Sequence, residues 1–207
     1  MINFADHHIV ITRPAEPTER DAVAGLIAEA FLPIPPNRWL LGDSQPPTTR
    51  FADYMRIWVD HGLQAGVIEV AEVPDAGLVG ATIWWREPAP APPDYATRLA
   101  DAVDPADLPR FEAFDAAMHA AHPQHEHLYL GFAAVHPDHQ RRGIDTVLLA
   151  RRHADLDDSR TPAYLVAATP DARRLYSRHG DSDHGVPIDL PAGPRTYPMM
   201  RHPADHD

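Results

Sequence analysis

The sequence predicts a mixed α/β fold, an α+β sandwich with helices on both faces of a mostly antiparallel sheet that contains one parallel central pair. Strand-like and helix-like segments alternate along the chain. Residues 67–73 and 78–85 are apolar runs joined by a Pro-Asp-Ala-Gly turn, a pattern typical of paired strands. Residues 128–149 lead from an apolar strand through a basic, Gly-containing turn into an amphipathic helix.

The first elements are a strand at residues 9–12 and a helix that runs from its predicted N-cap, Thr18, to Phe31. The Pro-rich segment 32–36 cannot continue that helix and is predicted to be an ordered loop or lid. A second helix is expected over residues 49–63, before the two paired strands.

The proline-dense residues 86–93 form either a connection or part of a substrate rim. The later elements are a helical stretch at 94–121 interrupted at 105–109, a strand at 128–135, a helix at about 141–156, a strand at 164–168, a short helix at 170–179, and strands near 186–190 and 197–201.

Length and composition predict one domain over residues 1–207, because 207 residues with 44% hydrophobic content can bury one sizeable core. No stretch approaches the roughly 18 consecutive apolar residues of a membrane span, and the first residues lack a signal-peptide pattern, so a cytoplasmic location is expected. The chain has no cysteine, and its 18 basic residues are all arginines. This composition excludes a thiolate nucleophile, a zinc–thiolate site and a lysine Schiff base.

The net charge of −12 opposes binding to nucleic acid, so the expected partner is a small molecule rather than a nucleic acid or a membrane. The acidic surplus either favours a cationic substrate such as an amine or serves solubility alone.

The turn after the strand at 128–135 is suited to an anion. Backbone amides at the start of a helix lack intrahelical partners, and the helix dipole adds partial positive charge there. Gln140, Arg141, Arg142 and Gly143 occupy this turn. A phosphate or pyrophosphate site is therefore predicted at residues 140–143.

Residues 140–145 resemble the coenzyme-A pyrophosphate loop of the GCN5-related N-acetyltransferase (GNAT) superfamily. Leu-Tyr-Ser-Arg-His-Gly at 175–180 resembles a later element of the same superfamily. Pro-Arg-Thr-Tyr-Pro-Met-Met at 194–200 resembles the closing strand of puromycin N-acetyltransferases. The likeness runs from residue 128 to about 203, and more loosely over the first strand and helix. It implies an acyl-transferring enzyme that uses acetyl-coenzyme A to modify the amine of an antibiotic or a biosynthetic intermediate.

The resemblance also implies roles for single residues. Tyr176 would be the general acid that protonates the leaving thiolate, and the alternative is an aromatic side chain packed under the sheet edge. The backbone of Val135 would face the pantetheine arm. The implied coenzyme-binding residues are Val135, Gln140, Arg141, Arg142, Gly143, Asp145 and Thr146.

Several residues depart from the superfamily pattern. Asp145 replaces a small residue, and its carboxylate would repel a diphosphate. Ala172 and Val166 replace polar residues, whereas His179 and Asp181 replace apolar ones. These departures keep open a coenzyme-independent acid–base enzyme, such as a cyclase, lyase or isomerase, and a non-catalytic small-molecule binding protein.

Large aromatic residues exceed what one sheet face needs, so some are expected to shape an apolar substrate site beneath the Pro-rich loop and the others to form core. The predicted substrate-binding residues are Phe31, Tyr54, Trp58, Trp84 and Phe132.

Three of the 14 histidines, His122, His125 and His127, precede the central strand. A solvated loop is favoured over a zinc site there, because no cysteine or acidic ligand stands at a recognised spacing, and no metal site is predicted. The base that would accept the amine proton stays open among Glu112, Asp115, Glu126 and His127.

Overall fold

The computed structural model describes residues 10–42 and 48–204. The helices are α1 (Arg20–Phe31), α2 (Pro35–Leu41), α3 (Thr48–Ala65), α4 (Tyr95–Ala102), α5 (Leu108–Ala121), α6 (Ile144–Asp158) and α7 (Pro170–Arg178). The strands are β1 (Ile11–Pro14), β2 (Gly66–Val73), β3 (Gly77–Glu87), β4 (His127–Val135), β5 (Ala163–Ala167), β6 (Ser182–Asp183), β7 (Ile188–Asp189) and β8 (Arg195–Arg201).

The strands follow the order β1-β2-β3-β4-β5-β8-β6, and β7 pairs with β8. Every described pair is antiparallel except β4 with β5. The predicted fold class is therefore confirmed. Among the described residues, no helix combines the length and apolar character needed to cross a membrane.

Each face of the sheet carries its own core. On one face, α1 and α3 contribute Ile27 and Met55 to a cluster that includes Trp85 of β3. On the other face, Leu149 of α6 belongs to a cluster with Trp84. Successive strand residues point to opposite faces, so the two neighbouring tryptophans serve different cores.

The parallel pair β4 and β5 separates part of the way along its length. The ladder between these strands ends at the pair Leu130 and Leu165. On the other side of β4 the register with β3 shifts, which leaves Gly131 as the extra residue of a bulge. Over residues 132–135, β4 pairs with β3 and not with β5. We call this gap between the two strands the strand split.

The predicted start of the first helix is wrong. Thr18 is not the N-cap of α1, because it lies in a 3₁₀ turn, Pro17–Glu19, that precedes the helix. In that turn the backbone amide of Glu16 donates to Oε2 of Glu19 at 2.8 Å. A proline in the first turn loses no needed hydrogen bond, so a helix starts readily at this point.

The Pro-rich segment 32–36 is a loop only in part, since α2 begins at Pro35 for the same reason. The first strand occupies Ile11–Pro14, and residue 9 of its predicted range lies outside the described residues. The strand predicted near 186–190 is reduced to Ile188–Asp189.

Candidate functional site

A cavity of about 610 Å³ lies on the α1/α3 face of the sheet. Its wall draws on α1 to α5, on the connection that follows β3, and on β4. Gly131 and Phe132 at the bulge of β4 also line it, together with Val166 and Ala168 at the end of β5. The cavity therefore extends to the strand split.

A row of aromatic rings forms part of the cavity wall. Trp58 and Trp85 lie nearly parallel, with their ring centroids 5.9 Å apart and an interplanar angle of 13°. Tyr95 lies 5.4 Å from Trp58, Tyr129 stands edge-on to Trp85 at 5.0 Å, and Phe132 lies 6.0 Å from Trp58. Rings at these separations stabilise one another and present a flat apolar surface. The surface suits an aromatic or apolar ligand body.

Two carboxylates are hydrogen-bonded to rings of this row. Glu87 accepts hydrogen bonds from Nε1 of Trp85 at 2.7 Å and from the backbone amide of Ala89 at 2.6 Å. Asp115 accepts a hydrogen bond from the hydroxyl of Tyr95 at 2.9 Å, and burial raises the pKa of its carboxyl. No arginine is among the described residues that line the cavity. The electrostatic character of the wall therefore favours a cation over an anion.

Two histidines in the wall add no positive charge at neutral pH. Burial lowers the pKa of His61, and burial together with neighbouring His127 lowers the pKa of His122 to about 4. The prediction of a solvated loop is wrong for His122, which lines the cavity, and for His127, which is 1% exposed. It holds for His125, whose side chain is exposed.

The basic turn before α6 has the backbone shape of an anion-binding loop. Arg141 and Gly143 both adopt left-handed conformations, with φ of 61° and 78°, and Gly143 is the N-cap of α6. Gln140 folds back, and its Nε2 donates to the carbonyl of Val135 at 3.2 Å. Arg141 and Arg142 are exposed beside the first amides of the helix. These features fit a phosphate-bearing ligand.

The first turn of α6 also carries an anion of its own. Oδ1 of Asp145 accepts a hydrogen bond from the amide of Thr146 at 2.9 Å. The hydroxyl of Thr146 lies 3.4 Å from Nε2 of His179 at the end of α7. One amide of the helix N-terminus is thus occupied, and the carboxylate opposes a second negative charge at this point. The loop therefore combines features that attract a phosphate with one carboxylate that repels it.

Tyr176 lies on α7, in the same core cluster as Leu130 and Leu165, the last pair before the strand split. It does not line the cavity, which lies on the opposite face of the sheet. Burial raises the pKa of its phenol, and the charges of Asp181 and Asp145 raise it further. The hydroxyl is consequently protonated at neutral pH and has a proton to donate.

Four of the five predicted substrate-binding residues line the cavity: Phe31, Tyr54, Trp58 and Phe132. Trp84 does not, because it is 1% exposed and packs on the α6/α7 face. The alternation of β3 puts its neighbour Trp85 in the wall instead. Glu87 lies on the same side of β3 as Trp85. Assigning that side of the strand to the cavity would have predicted both residues.

No protein-family model matches the chain. An acetyltransferase related to histone acetyltransferase HPA2, from Corynebacterium glutamicum, is 22% identical with a TM-score of 0.72, over 95% of this chain and 98% of that one. The C-terminal condensation domain of Ebony, in complex with beta-alanyl-dopamine, is 12% identical with a TM-score of 0.70, over 94% and 99% of the two chains. Arylalkylamine N-acetyltransferase 2 from Aedes aegypti is 9% identical with a TM-score of 0.67, over 93% and 98%.

These similarities define the class of fold. The mixed sheet with one parallel pair, flanked by helices on both faces, is the fold of the GNAT acetyltransferases.

Proposed function

We propose that this chain is an N-acyltransferase that moves an acyl group from a thioester, acetyl-coenzyme A, to the amine of a small molecule with an aromatic or apolar body. The observation that carries this proposal is the cavity that extends to the strand split. In that arrangement an amine bound on the α1/α3 face can meet a thioester that enters between the separated strands. Holding both reactants in one place supplies much of the rate of such a transfer.

The acceptor side of the cavity favours an amine. Glu87 and Asp115 attract an ammonium group, and the lining includes no arginine among the described residues. The net charge of −12 adds a weak long-range attraction for cations. Trp58 and Trp85 offer stacking surface for an aromatic substituent, and their rings also attract a cation that lies over their faces.

The donor side of the site supports a thioester with a pantetheine arm. Over residues 131–134, the backbone groups of β4 that face away from β3 lack β5 partners and are therefore available to the amide groups of such an arm. The carbonyl of Val135 already accepts a hydrogen bond from Gln140. We propose that Val135 faces this arm and that Gln140, Arg141, Arg142, Gly143 and Thr146 surround the phosphate groups.

Asp145 is proposed as the residue that weakens coenzyme binding, because its charge and its hydrogen bond to the helix amide both compete with a phosphate.

Tyr176 is proposed as the general acid. Its raised pKa keeps the phenol protonated, so it can deliver a proton to the thiolate as the carbon–sulfur bond breaks. A phenol that serves packing alone would be equally buried, and removal of its hydroxyl separates the two roles.

Two proteins with this fold act on or bind aromatic amines or their amides, according to their names: an arylalkylamine N-acetyltransferase and a condensation domain in complex with beta-alanyl-dopamine. The aromatic wall of the present chain supports the same chemical class of acceptor. The resemblance of residues 194–200 to puromycin N-acetyltransferases adds antibiotic amines and biosynthetic intermediates to the candidates.

Calorimetric titration with acetyl-coenzyme A, and separately with coenzyme A, tests the donor. We expect micromolar affinity, equivalent to about −8 kcal/mol. A thiol-release assay then tests the acceptor, with phenethylamine and tyramine as aromatic amines, agmatine as a non-aromatic amine, puromycin as an antibiotic amine, and 2-phenylethanol as the control without an amine. We expect aromatic amines to give the highest kcat/KM. Coenzyme binding without turnover of any amine would contradict the proposal.

Trp58→Ala tests the acceptor wall, since it removes one face of the stacked pair. It should raise KM for aromatic amines and leave the affinity for acetyl-coenzyme A unchanged. A variant that weakens both equally would indicate a general loss of structure.

A second function, coenzyme-independent acid–base chemistry or simple binding of a small natural product, is favoured by the departures from the superfamily pattern. Among them, Asp145 opposes a phosphate most directly. It would be supported if neither the wild-type protein nor Asp145→Gly binds acetyl-coenzyme A at millimolar concentration.

A further inference from the structure

Two histidines form a hydrogen-bonded pair at the edge of the cavity. His127, at the start of β4, has its Nδ1 2.8 Å from the backbone carbonyl oxygen of His125. Its Nε2 lies 3.0 Å from Nε2 of His122, which lines the cavity. His127 is 1% exposed, so this arrangement is held inside the fold.

The hydrogen bonds fix where the protons of the pair lie. A carbonyl oxygen only accepts, so Nδ1 of His127 carries the hydrogen. A neutral His127 then has its lone pair on Nε2, and Nε2 of His122 must be the donor across the 3.0 Å contact. A neutral His122 therefore keeps Nδ1 free of hydrogen. Nδ1 of His122 can therefore accept a proton, because His127 sets the tautomer of the His122 ring.

Other groups around the pair adjust its charge. Burial lowers the pKa of both histidines, and the carboxylate of Glu87 opposes this effect on each. The hydrogen bond to the backbone carbonyl of His125 raises the pKa of His127, whereas the imidazoles of His125 and His184 lower it. His119 lowers the pKa of His122.

Two tyrosines, Tyr129 and Tyr164, stand edge-on to the ring of His122, each with its centroid 4.9 Å away. These contacts hold the ring in place beside the cavity.

We propose that His122 is the base of the acyl transfer and that His127 is the residue that positions it. This inference rests on the proposed function. An amine that binds as its ammonium ion first releases one proton to solvent, and the neutral nitrogen then attacks the thioester carbonyl carbon. The extra proton of the resulting adduct passes to Nδ1 of His122. The carbon–sulfur bond then breaks, and the sulfur leaves with the electron pair and takes a proton from Tyr176.

Proton gains and losses on the protein cancel over these reaction steps. His122 gains one proton and Tyr176 loses one, so exchange with solvent returns both groups to their starting state. The imidazolium form keeps its hydrogen bond to His127 through Nε2, and the nearby carboxylate of Glu87 stabilises the added charge.

Histidine nitrogen chemical shifts in the ¹⁵N-labelled wild-type protein test the pair without any assay of activity. At pH 7 we expect a protonated Nδ1 and a bare Nε2 for His127, and the reverse for His122. Spectra of His122→Gln and His127→Gln provide the assignment. The opposite tautomers, or a doubly protonated His122, would overturn the proposal.

Kinetics test the catalytic role. His122→Gln should lower kcat about 100-fold or more, the contribution expected of a general base, with a smaller change in KM for the amine and loss of the acidic limb of the kcat profile. His127→Gln should lower kcat less and shift that limb. His202→Gln, an exposed histidine outside the cavity, is the matched control and should retain wild-type rates.

The two proposals fail in different ways. If the wild-type enzyme is active and His122→Gln keeps its kcat and pH profile, His122 is not the base. The proposed N-acyltransferase function would still stand. A wild-type protein that releases no thiol with any amine would end both. If His122→Gln does not fold, as judged by circular dichroism, the wild-type nitrogen shifts and the kinetics of His127→Gln still decide the matter.

Discussion

The carboxylate of Asp145 accepts a hydrogen bond from the backbone amide of Thr146 at 2.9 Å, within the first turn of α6. The contact places a fixed negative charge where the helix dipole and two exposed arginines attract an anion. Asp145→Asn removes the charge and keeps an oxygen for the amide. We expect acetyl-coenzyme A to bind about fivefold more tightly, because one unit of repulsion at short range in water is about 1 kcal/mol.

Calorimetry at low and high salt checks this result, since screening should shrink the gain as the ionic strength rises. Asp158→Asn makes the same charge change at the far end of α6 and serves as the control. Equal gains from both variants would indicate a general charge effect and not a local one at the loop.

Removal of the Tyr176 hydroxyl separates catalysis from packing. Tyr176→Phe keeps the buried ring and removes the proton donor, so kcat for thiol release should fall about 100-fold or more while the affinity for acetyl-coenzyme A stays the same. Tyr197→Phe, which removes a phenol outside the cavity lining, is the control and should be fully active. Unchanged turnover in Tyr176→Phe would show that Tyr176 contributes to core packing and not to catalysis.

At Gly131, the backbone of β4 passes close to the aromatic wall. A Cβ built there would lie 2.1 Å from Cη2 of Trp85, and that ring is held by its stack on Trp58 and its hydrogen bond to Glu87. Gly131→Ala should therefore lower the free energy of unfolding by about 1–3 kcal/mol, as overpacking does, and raise KM for aromatic amines.

Denaturant unfolding and amine kinetics measure these two effects. The matched control is Gly25→Ala in α1, where a Cβ meets nothing within 4 Å. That change should leave activity intact and stabilise the protein by up to about 1 kcal/mol, the helix preference of alanine over glycine. Equal destabilisation by both substitutions would rule out the contact with Trp85 as the cause.

Asp181 should make stability depend on pH. It is 5% exposed, and its carboxylate oxygens have no hydrogen-bond partner in the described part of the chain. Burial raises the pKa of this carboxyl to about 7, against the opposing charge of Arg201. The folded state therefore binds a proton that the unfolded state releases near pH 4, and stability falls as the pH rises from about 4 to about 7.

Asp181→Asn removes this titration. The melting temperature of the variant relative to wild type should increase between pH 5 and pH 8. Over the whole titration, the difference in free energy of unfolding has an upper bound of about 4 kcal/mol. Thermal unfolding at several pH values provides the measurement. A difference that stays constant across this range would show that the carboxyl does not titrate as proposed.

Local patterns were sufficient for the arrangement of elements. Apolar runs marked the main strands, helical spacing of apolar residues marked α1 and α3, and the basic turn at 140–143 marked the approach to α6. The same patterns misplaced the start of α1 at Thr18 and missed that Pro35 opens a helix, because proline both ends and begins helices and its local sequence does not decide which.

The contents of the candidate site depended on the tertiary structure. Strand alternation separates Trp84 from Trp85 but does not say which of them meets the cavity, since that depends on which helices cover each face. The pairing of His122 with His127 arises where the end of α5 meets the start of β4, and no sequence-spacing rule predicts this contact. By itself the sequence determined the fold class and the position of the basic turn before α6, because both rest on short-range periodicity and helix-end chemistry. The tertiary structure decided which rings, carboxylates and imidazoles share one cavity, because burial and charge at each group depend on residues distant in the chain.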